Sequence, residues 1–146
     1  MDSAISIRKA TIDDVEIVFR FLCELGNEEL DFVVFKRIYS ENISNTKNLY
    51  LVSESENSVN GFISFHTQNL LHHSGLVGEI QEFYIDKGFR GKGIGKLLVY
   101  KIKDYAKQHS LKSIEVTSGK KRVENVLVYE KLGFKLSHNK FTIYEL

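Results

Sequence analysis

Phe83-Tyr84-Ile85-Asp86-Lys87-Gly88-Phe89-Arg90-Gly91-Lys92-Gly93-Ile94-Gly95-Lys96 reads as a strand that runs into a glycine-rich turn and then opens a long amphipathic helix. Glycines at 91, 93 and 95 remove side chains from the turn, so successive backbone N–H groups can point inward. The positive end of the following helix dipole adds to their pull on an anion. Arg90, Lys92 and Lys96 supply mobile positive charge around it, and the whole predicts a phosphate cradle. Two familiar glycine spacings fail. A P-loop needs Gly-x4-Gly-Lys-Ser/Thr, but Arg90 stands five before Gly95 and Leu97 follows Lys96. The dinucleotide pattern Gly-x-Gly-x-x-Gly fails as well, because its third glycine falls on Lys96 or Leu98. What remains is Arg-x-x-Gly-x-Gly, from Arg90 to Gly95.

Downstream of the turn, Ile94, Leu98, Ile102 and Ala106 step by four along one helical face, with Leu97 and Tyr105 beside them. Ser113 to Thr117 reads as a short strand, and Arg122 to Leu132 as a helix stopped by Gly133. Phe134 to Ser137 with Phe141 to Glu145 reads as a final hairpin turning at Asn139. Upstream, Ile5 and Ile7 alternate as a first strand, and Thr11-Ile12-Asp13-Asp14 offers caps for a helix carrying Ile12, Val15, Phe19 and Leu22. Leu30 to about Asn42 is a second helix. Leu49 to Ser53 and Val59 to His66 form a hairpin around Glu54 to Ser58, Leu70 to Gly75 is loop, and a strand covers Val77 to Ile85. Without linker, repeat or low-complexity tract, residues 1–146 read as one α/β domain.

Composition agrees. A chain of 146 residues can bury on the order of 70% of its unfolded surface as one domain and is short for two. No apolar run is long enough to cross a membrane, and the alternating start lacks the form of a signal peptide, so a cytoplasmic location is expected. A net charge of +1, with one basic run at Lys120-Lys121-Arg122, argues against nucleic acid or an anionic membrane as partner. The single cysteine, Cys23, excludes an intramolecular disulfide and reads as a small hydrophobe on the inner face of the first helix.

The turn from Arg90 to Gly95, the strand end Phe83-Tyr84-Ile85 before it and Tyr129-Glu130-Lys131-Leu132-Gly133-Phe134 after it resemble the two motifs of the GNAT superfamily, the acetyl-CoA-dependent N-acetyltransferases. Where that family often has proline, this chain has Lys87. The resemblance implies an α/β (α+β) fold with a central mixed, mostly antiparallel sheet flanked by helices, and the predicted order β-α-α-β-β-β-α-β-α-β-β is similar to it. It also implies that the cradle takes the pyrophosphate of acetyl-CoA, held by Arg90, Gly91, Lys92, Gly93, Ile94, Gly95 and Lys96. Main-chain groups near Phe83, Tyr84 and Ile85 would pair with the pantetheine arm like an added strand. The helix site seven before Tyr129, usually a cofactor-contacting asparagine, is Arg122, which would bind phosphate or acceptor instead.

Acetyl transfer to an amine needs the neutral amine, whereas a free alkylamine has a pKa of about 10, so a base must collect a proton. Strand Val77 to Phe83 carries Glu79 and Glu82, which alternation places on opposite faces unless a bulge intervenes. The family commonly uses a glutamate at a position like Glu79, which ranks first as base; Glu82 would bind the acceptor or cap a backbone group. Tyr129 falls where the family places a tyrosine that protonates the departing sulfur.

His66, Gln68, His72 and His73 precede the carboxylate strand and, with Glu79, could ligate a divalent metal or line an anion pocket, although spacing alone defines no metal site. A narrower resemblance covers Cys23-Glu24-Leu25, Asp31 with Phe35, His66-x-Gln68, His72-His73, Gly78 to Glu82, Lys121-Arg122 and Ser137-His138 with Phe141-Thr142. These resemble the aminoalkylphosphonate N-acetyltransferases, and imply a small primary amine bearing an anionic group, with a divalent metal able to assist. Aminoglycoside and polyamine acetyltransferases share the second motif, and a cationic acceptor would instead favour the carboxylates of Glu28, Glu29, Asp31, Glu79 and Glu82. Acetylation of a protein amine and a non-catalytic acyl-CoA sensor are the other readings; Glu79 and Tyr129 together speak against the sensor. Such domains often pair as homodimers.

Overall fold

The computed structural model describes residues 4–119 and 123–146, which fall into two compact units, Met1–Val116 and Thr117–Leu146. The first unit holds a five-stranded sheet in the order β1 (Ser6–Lys9), β2 (Asn48–Ser55), β3 (Ser58–Leu70), β4 (Gly75–Ile85) and β5 (Ile114–Val116). Neighbours from β1 to β4 run antiparallel and β5 lies parallel to β4, the mixed sheet that the resemblance implies. Helices α1 (Val15–Gly26), α2 (Phe32–Ser44) and α3 (Ile94–Gln108) complete the unit.

Strand alternation divides the core in two. Val52, Phe62 and Tyr84 share one sheet face, since Val52 pairs with Phe62 and Phe62 with Tyr84, and they pack with Val15, Val18 and Phe21 of α1 and Tyr39 of α2. The opposite face carries Leu51, Ile63 and Phe65, which are buried together with Ile94, Leu98, Val99 and Ile102 of α3. Each such side chain contributes about 1.5–3 kcal/mol when fully buried. Gly78 is required beneath Phe65, because a Cβ there would come 1.9 Å from Phe65 Cζ.

The start of α1 follows from side-chain capping of the turn before it. Thr11 and Asp14 form a reciprocal capping box around a single 3-10 turn, Ile12–Asp14, so the α-helix begins at Val15 and Ile12 is left 43% exposed rather than on the inner face. Its buried stripe is Val15, Val18 and Phe21, while Phe19 turns aside to meet Phe32 and Phe35 edge-on. Asp14 also takes both terminal nitrogens of Arg8 at 2.8 Å, and Glu54 accepts from Arg8 Nε at 3.2 Å. The β2–β3 turn is tight: Glu56 and Asn57 both hold positive φ, 53° and 61°, the pairing of a two-residue hairpin.

In the second unit, α4 (Val123–Lys131) ends at Gly133, whose φ of 100° admits the left-handed stop, and the amide of Phe134 donates to the carbonyl of Tyr129 at 3.0 Å. The expected final hairpin does not form, for residues 134–146 contain no strand. Leu136, Phe141, Ile143 and Tyr144 are each at least 76% exposed, so no apolar burial offsets the ordering of two strands. The Asn139-Lys140 turn also lacks the glycine that a two-residue hairpin favours at its second position.

Candidate active site

The glycine turn separates its three glycines by role. Gly91 and Gly93 hold φ of 76° and 82°, and a Cβ on either would meet nothing within 4 Å, so the turn presents bare backbone to open space. Gly93 is the N-cap of α3, and the first intrahelical bond runs from the Leu97 amide to its carbonyl. The amides of Ile94, Gly95 and Lys96 therefore precede the helical ladder and can serve an anion. Gly95 is not part of the turn itself: it lies within α3, where a Cβ would sit 3.1 Å from Phe83 Cζ, and its bareness lets the helix close on β4. Ile94 is buried core at the same point.

The three cations around this turn each rest on an aromatic ring: Arg90 over Tyr84 at 5.4 Å, Lys92 over Phe89 at 5.3 Å and Lys96 over Tyr100 at 5.5 Å. Arg90 Nε further donates to the Ile85 carbonyl at 2.9 Å. Tyr84 is itself anchored through its hydroxyl to Glu24 of α1; burial foremost, then that carboxylate, raises it to about 12.

The edge of β4 explains where an extended ligand could pair. The Asp86 amide donates to the Asn60 carbonyl at 2.9 Å, so along the antiparallel ladder Tyr84 bonds to Phe62 while Phe83 and Ile85 turn N–H and C=O away from β3. On that outer side β5 ends at Val116 opposite Ile80, so among the described residues no strand pairs Phe83 and Ile85 there. A thioester cofactor with a phosphate-bearing, amide-containing arm fits both features, the bare cradle and the open edge.

A bulge intervenes in β4. Phe65 pairs with Ile80 but Ser64 with Glu82, which leaves Gln81 as the extra residue and turns Glu79 and Glu82 to the same face, against the simple alternation. Ser64 secures the bulge, donating its hydroxyl to the Glu82 carboxylate and accepting the Glu82 amide at 2.9 Å. Glu79 stands opposite His66, in a row that crosses four strands as Asn48, His66, Glu79 and Glu115. These four, with Gln68 and Gln81, line a cleft of about 290 Å³, whereas Glu82 does not. A wider hollow of about 430 Å³, bounded by Glu16, Phe19, Arg20 and Phe32, contains none of these groups.

His66 is half-buried. Its ring stacks on Tyr50 at 5.6 Å and its Nε2 lies 2.9 Å from the Tyr50 hydroxyl. Burial pushes the imidazole below its ordinary value, against the opposing pull of Glu82 and Glu79. His72 and His73 pack on each other at 4.2 Å in the turn after β3, and among the described residues no group of three or more His, Cys, Asp or Glu could hold a metal. Tyr129 belongs to α4, with its ring edge-on to Phe134 at 5.8 Å, and Cys23 is a free, half-buried thiol on α1. Lys121 and Arg122 lie outside the described residues.

Ser64, Tyr50, Asn42 and Glu115 belong to the arrangement without having been singled out in the sequence. The sequence carries a signal for Ser64 alone, in Phe62-Ile63-Ser64-Phe65-His66, where polar residues alternate inside an apolar run and so share one face.

Comparison with known proteins places the fold in a family. The profile described as "Acetyltransferase (GNAT) family" matches residues 16–134. An aminoalkylphosphonate N-acetyltransferase of Salmonella typhimurium is 33% identical over 136 residues, covering 93% of this chain and 88% of that protein. A transcriptional regulator from Bacillus halodurans superposes with a TM-score of 0.90 at 26% identity, over 97% of this chain and 100% of the other. Glucosamine-6-phosphate N-acetyltransferase from Arabidopsis thaliana gives 0.81 at 26% identity, over 97% and 98%. The chain therefore belongs to the GNAT acetyltransferase family and is an acyltransferase whose cosubstrate, as across that family, is acetyl-CoA.

Proposed function

We propose that the protein moves an acetyl group from acetyl-CoA to the primary amine of a small molecule by direct transfer, with residues 1–146 acting as one catalytic domain and Glu79 as base. The observation that carries the choice of base is the difference between two carboxylates on one face: Glu79 lines the open cleft, while Glu82 is tied into a ring of hydrogen bonds with Ser64. Acetyl-CoA would supply the thioester-activated acyl group. Gly91, Gly93 and the first amides of α3, with Arg90, Lys92 and Lys96, would hold its phosphates, and the outward groups of Phe83 and Ile85 its amide arm. Glu79 takes one proton from the ammonium, freeing the nitrogen lone pair; as the C–N bond forms and the C–S bond breaks, Tyr129 gives a proton to the leaving sulfur, and the second proton shed by the nitrogen as it becomes an amide replaces it, while the proton on Glu79 passes to solvent. Holding both reactants at one edge supplies much of the rate.

For the acceptor we favour an aminoalkylphosphonate, on the strength of the similar Salmonella typhimurium protein and of the narrower resemblance the sequence bears to that subfamily. A cationic acceptor is the second reading, favoured by the cleft itself: its described lining carries Glu79 and Glu115 and no lysine or arginine. The test is release of free CoA thiol from acetyl-CoA across aminoalkylphosphonates, polyamines, aminoglycosides and a peptide, each with and without divalent metal. Turnover of the phosphonates above all others supports the first reading, preference for polyamines or aminoglycosides the second, and turnover of the peptide alone overturns both. Activity lost on chelation and restored by metal would add a divalent ion to the site. Acetyl-CoA binding without turnover of any amine would make the protein a sensor.

A further inference from the structure

A hydrogen-bonded chain stands on the carboxylate face of the sheet. Asn42 Nδ2 of α2 donates to the Tyr50 hydroxyl oxygen at 2.8 Å, and that hydroxyl lies 2.9 Å from His66 Nε2. Asn42 is itself steadied, since Asn48 Nδ2 donates to its backbone carbonyl at 3.1 Å. An amide nitrogen only donates, so the Tyr50 oxygen accepts from Asn42, which leaves the hydroxyl proton available to His66. Burial, against the smaller effect of Asn42, raises Tyr50 to about 12 and so keeps that proton in place. With that proton directed at Nε2 the ring nitrogen accepts, and a neutral ring that accepts at Nε2 carries its proton on Nδ1. Burial disfavours the doubly protonated ring. His66 lines the same cleft as Glu79, its partner across the β3–β4 ladder.

We propose that His66 is a positioning residue for acetyl transfer: Asn42 and Tyr50 lock it as the Nδ1–H tautomer, so that it offers a fixed N–H donor to the Glu79 carboxylate and orients that base toward the acceptor amine. The inference rests on the reading of Glu79 as base and adds to it a reason for the precision of the base. It assigns work to a tyrosine and an asparagine that would otherwise serve packing alone. It also gives His66 a task that requires no metal and no proton transfer of its own.

Side-chain isosteres separate this role from a structural one. Asparagine at position 66 places an amide N–H near Nδ1, and glutamine places one near Nε2, where it can reach Tyr50. If His66 serves only to bond Tyr50, glutamine should be the better replacement in both stability and rate. The proposal expects the two readouts to split: His66→Gln the more thermally stable, His66→Asn the more active, by about tenfold in kcat, the effect of one oriented hydrogen bond. Tyr50→Phe should keep the ring and lower kcat about tenfold at little change in the KM for acetyl-CoA. Nitrogen-15 NMR of the wild-type imidazole should show the Nδ1–H form, shifting toward Nε2–H in Tyr50→Phe. A wild-type ring protonated on Nε2, or a His66→Gln enzyme as active as His66→Asn, would overturn the proposal. Should the asparagine variant fail to fold, the wild-type and Tyr50→Phe spectra decide alone. Full activity of Glu79→Gln would instead remove the base reading, whatever the tautomer of His66.

Discussion

Replacing Gly93 by alanine isolates what the glycine turn does. At φ 82° and ψ 8° an L-residue carries left-handed strain of about 1–2 kcal/mol that glycine avoids. A Cβ there meets nothing within 4 Å, so no protein contact is broken and the strain is the whole intramolecular effect. If acetyl-CoA binds only the turn as it stands, raising that conformation by 1–2 kcal/mol weakens binding about 5–30-fold. A methyl group in the space meant for phosphate weakens it further. Gly95→Ala is the matched control. It sits at a helical position, where alanine is favoured by about 1 kcal/mol, and the new Cβ at 3.1 Å asks the end of the Phe83 ring to yield by a few tenths of an ångström. Calorimetric titration of acetyl-CoA should therefore give at least a fivefold rise in Kd for Gly93→Ala and less than about a threefold change for Gly95→Ala, with the melting temperatures of both recorded. Gly93→Ala binding as tightly as wild type, or Gly95→Ala losing as much, would refute the division of roles between the glycines.

Other expectations concern the frame around the site. Gly78→Ala drives a Cβ to 1.9 Å from Phe65 Cζ in a fully buried position and should destabilise the fold by about 3 kcal/mol in urea titration, with no relief from changes at the surface. Ser64→Ala strips the Glu82 carboxylate and the bulge amide of their shared partner, for a loss of about 1–3 kcal/mol and a lower kcat as the register near Glu79 loosens. Asp14 is pulled both ways: burial resists its charge, yet the Arg8 guanidinium and the Thr11 amide hold it below its ordinary 3.8. Because the folded value is the lower one, its contribution is present above pH 3.8 and fades as pH falls through the folded value. Asp14→Asn should cost about 2 kcal/mol at pH 7 and flatten the loss of stability below about pH 4, read from urea midpoints at both pH values.

The pattern of apolar spacing was enough to place the sheet and helices of the first unit. Ile94, Leu98, Ile102 and Ala106 are all buried, as their spacing by four predicts. The glycine turn was legible because positive φ and bare backbone are properties of residue type. Register was not. The bulge at Gln81 depends on how Ser64 pairs across two strands, and no local signal distinguishes it from plain alternation, so the sequence alone left the relation of Glu79 to Glu82 open. Gly95 looked like the third member of a series, yet its role is set by Phe83, twelve residues earlier. The same limit hid Tyr50 and Asn42: they come from β2 and α2, and only tertiary packing brings them to His66. At the C-terminal end, alternation in Phe141-Thr142-Ile143-Tyr144 resembles a strand, but alternation forms a strand only when one face finds something to cover it.

The central claim is that Glu79, on the cleft side of the bulge, takes the proton that frees the acceptor amine. Its most direct measurement is amine-dependent release of CoA thiol by wild type, Glu79→Gln and Glu82→Gln side by side, with acetyl-CoA Kd measured for each. A positioned base contributes about 10²–10⁴-fold, so kcat should fall at least 100-fold in Glu79→Gln, with Kd unchanged and a much smaller loss in Glu82→Gln. Full turnover by Glu79→Gln while Glu82→Gln is inactive would contradict it.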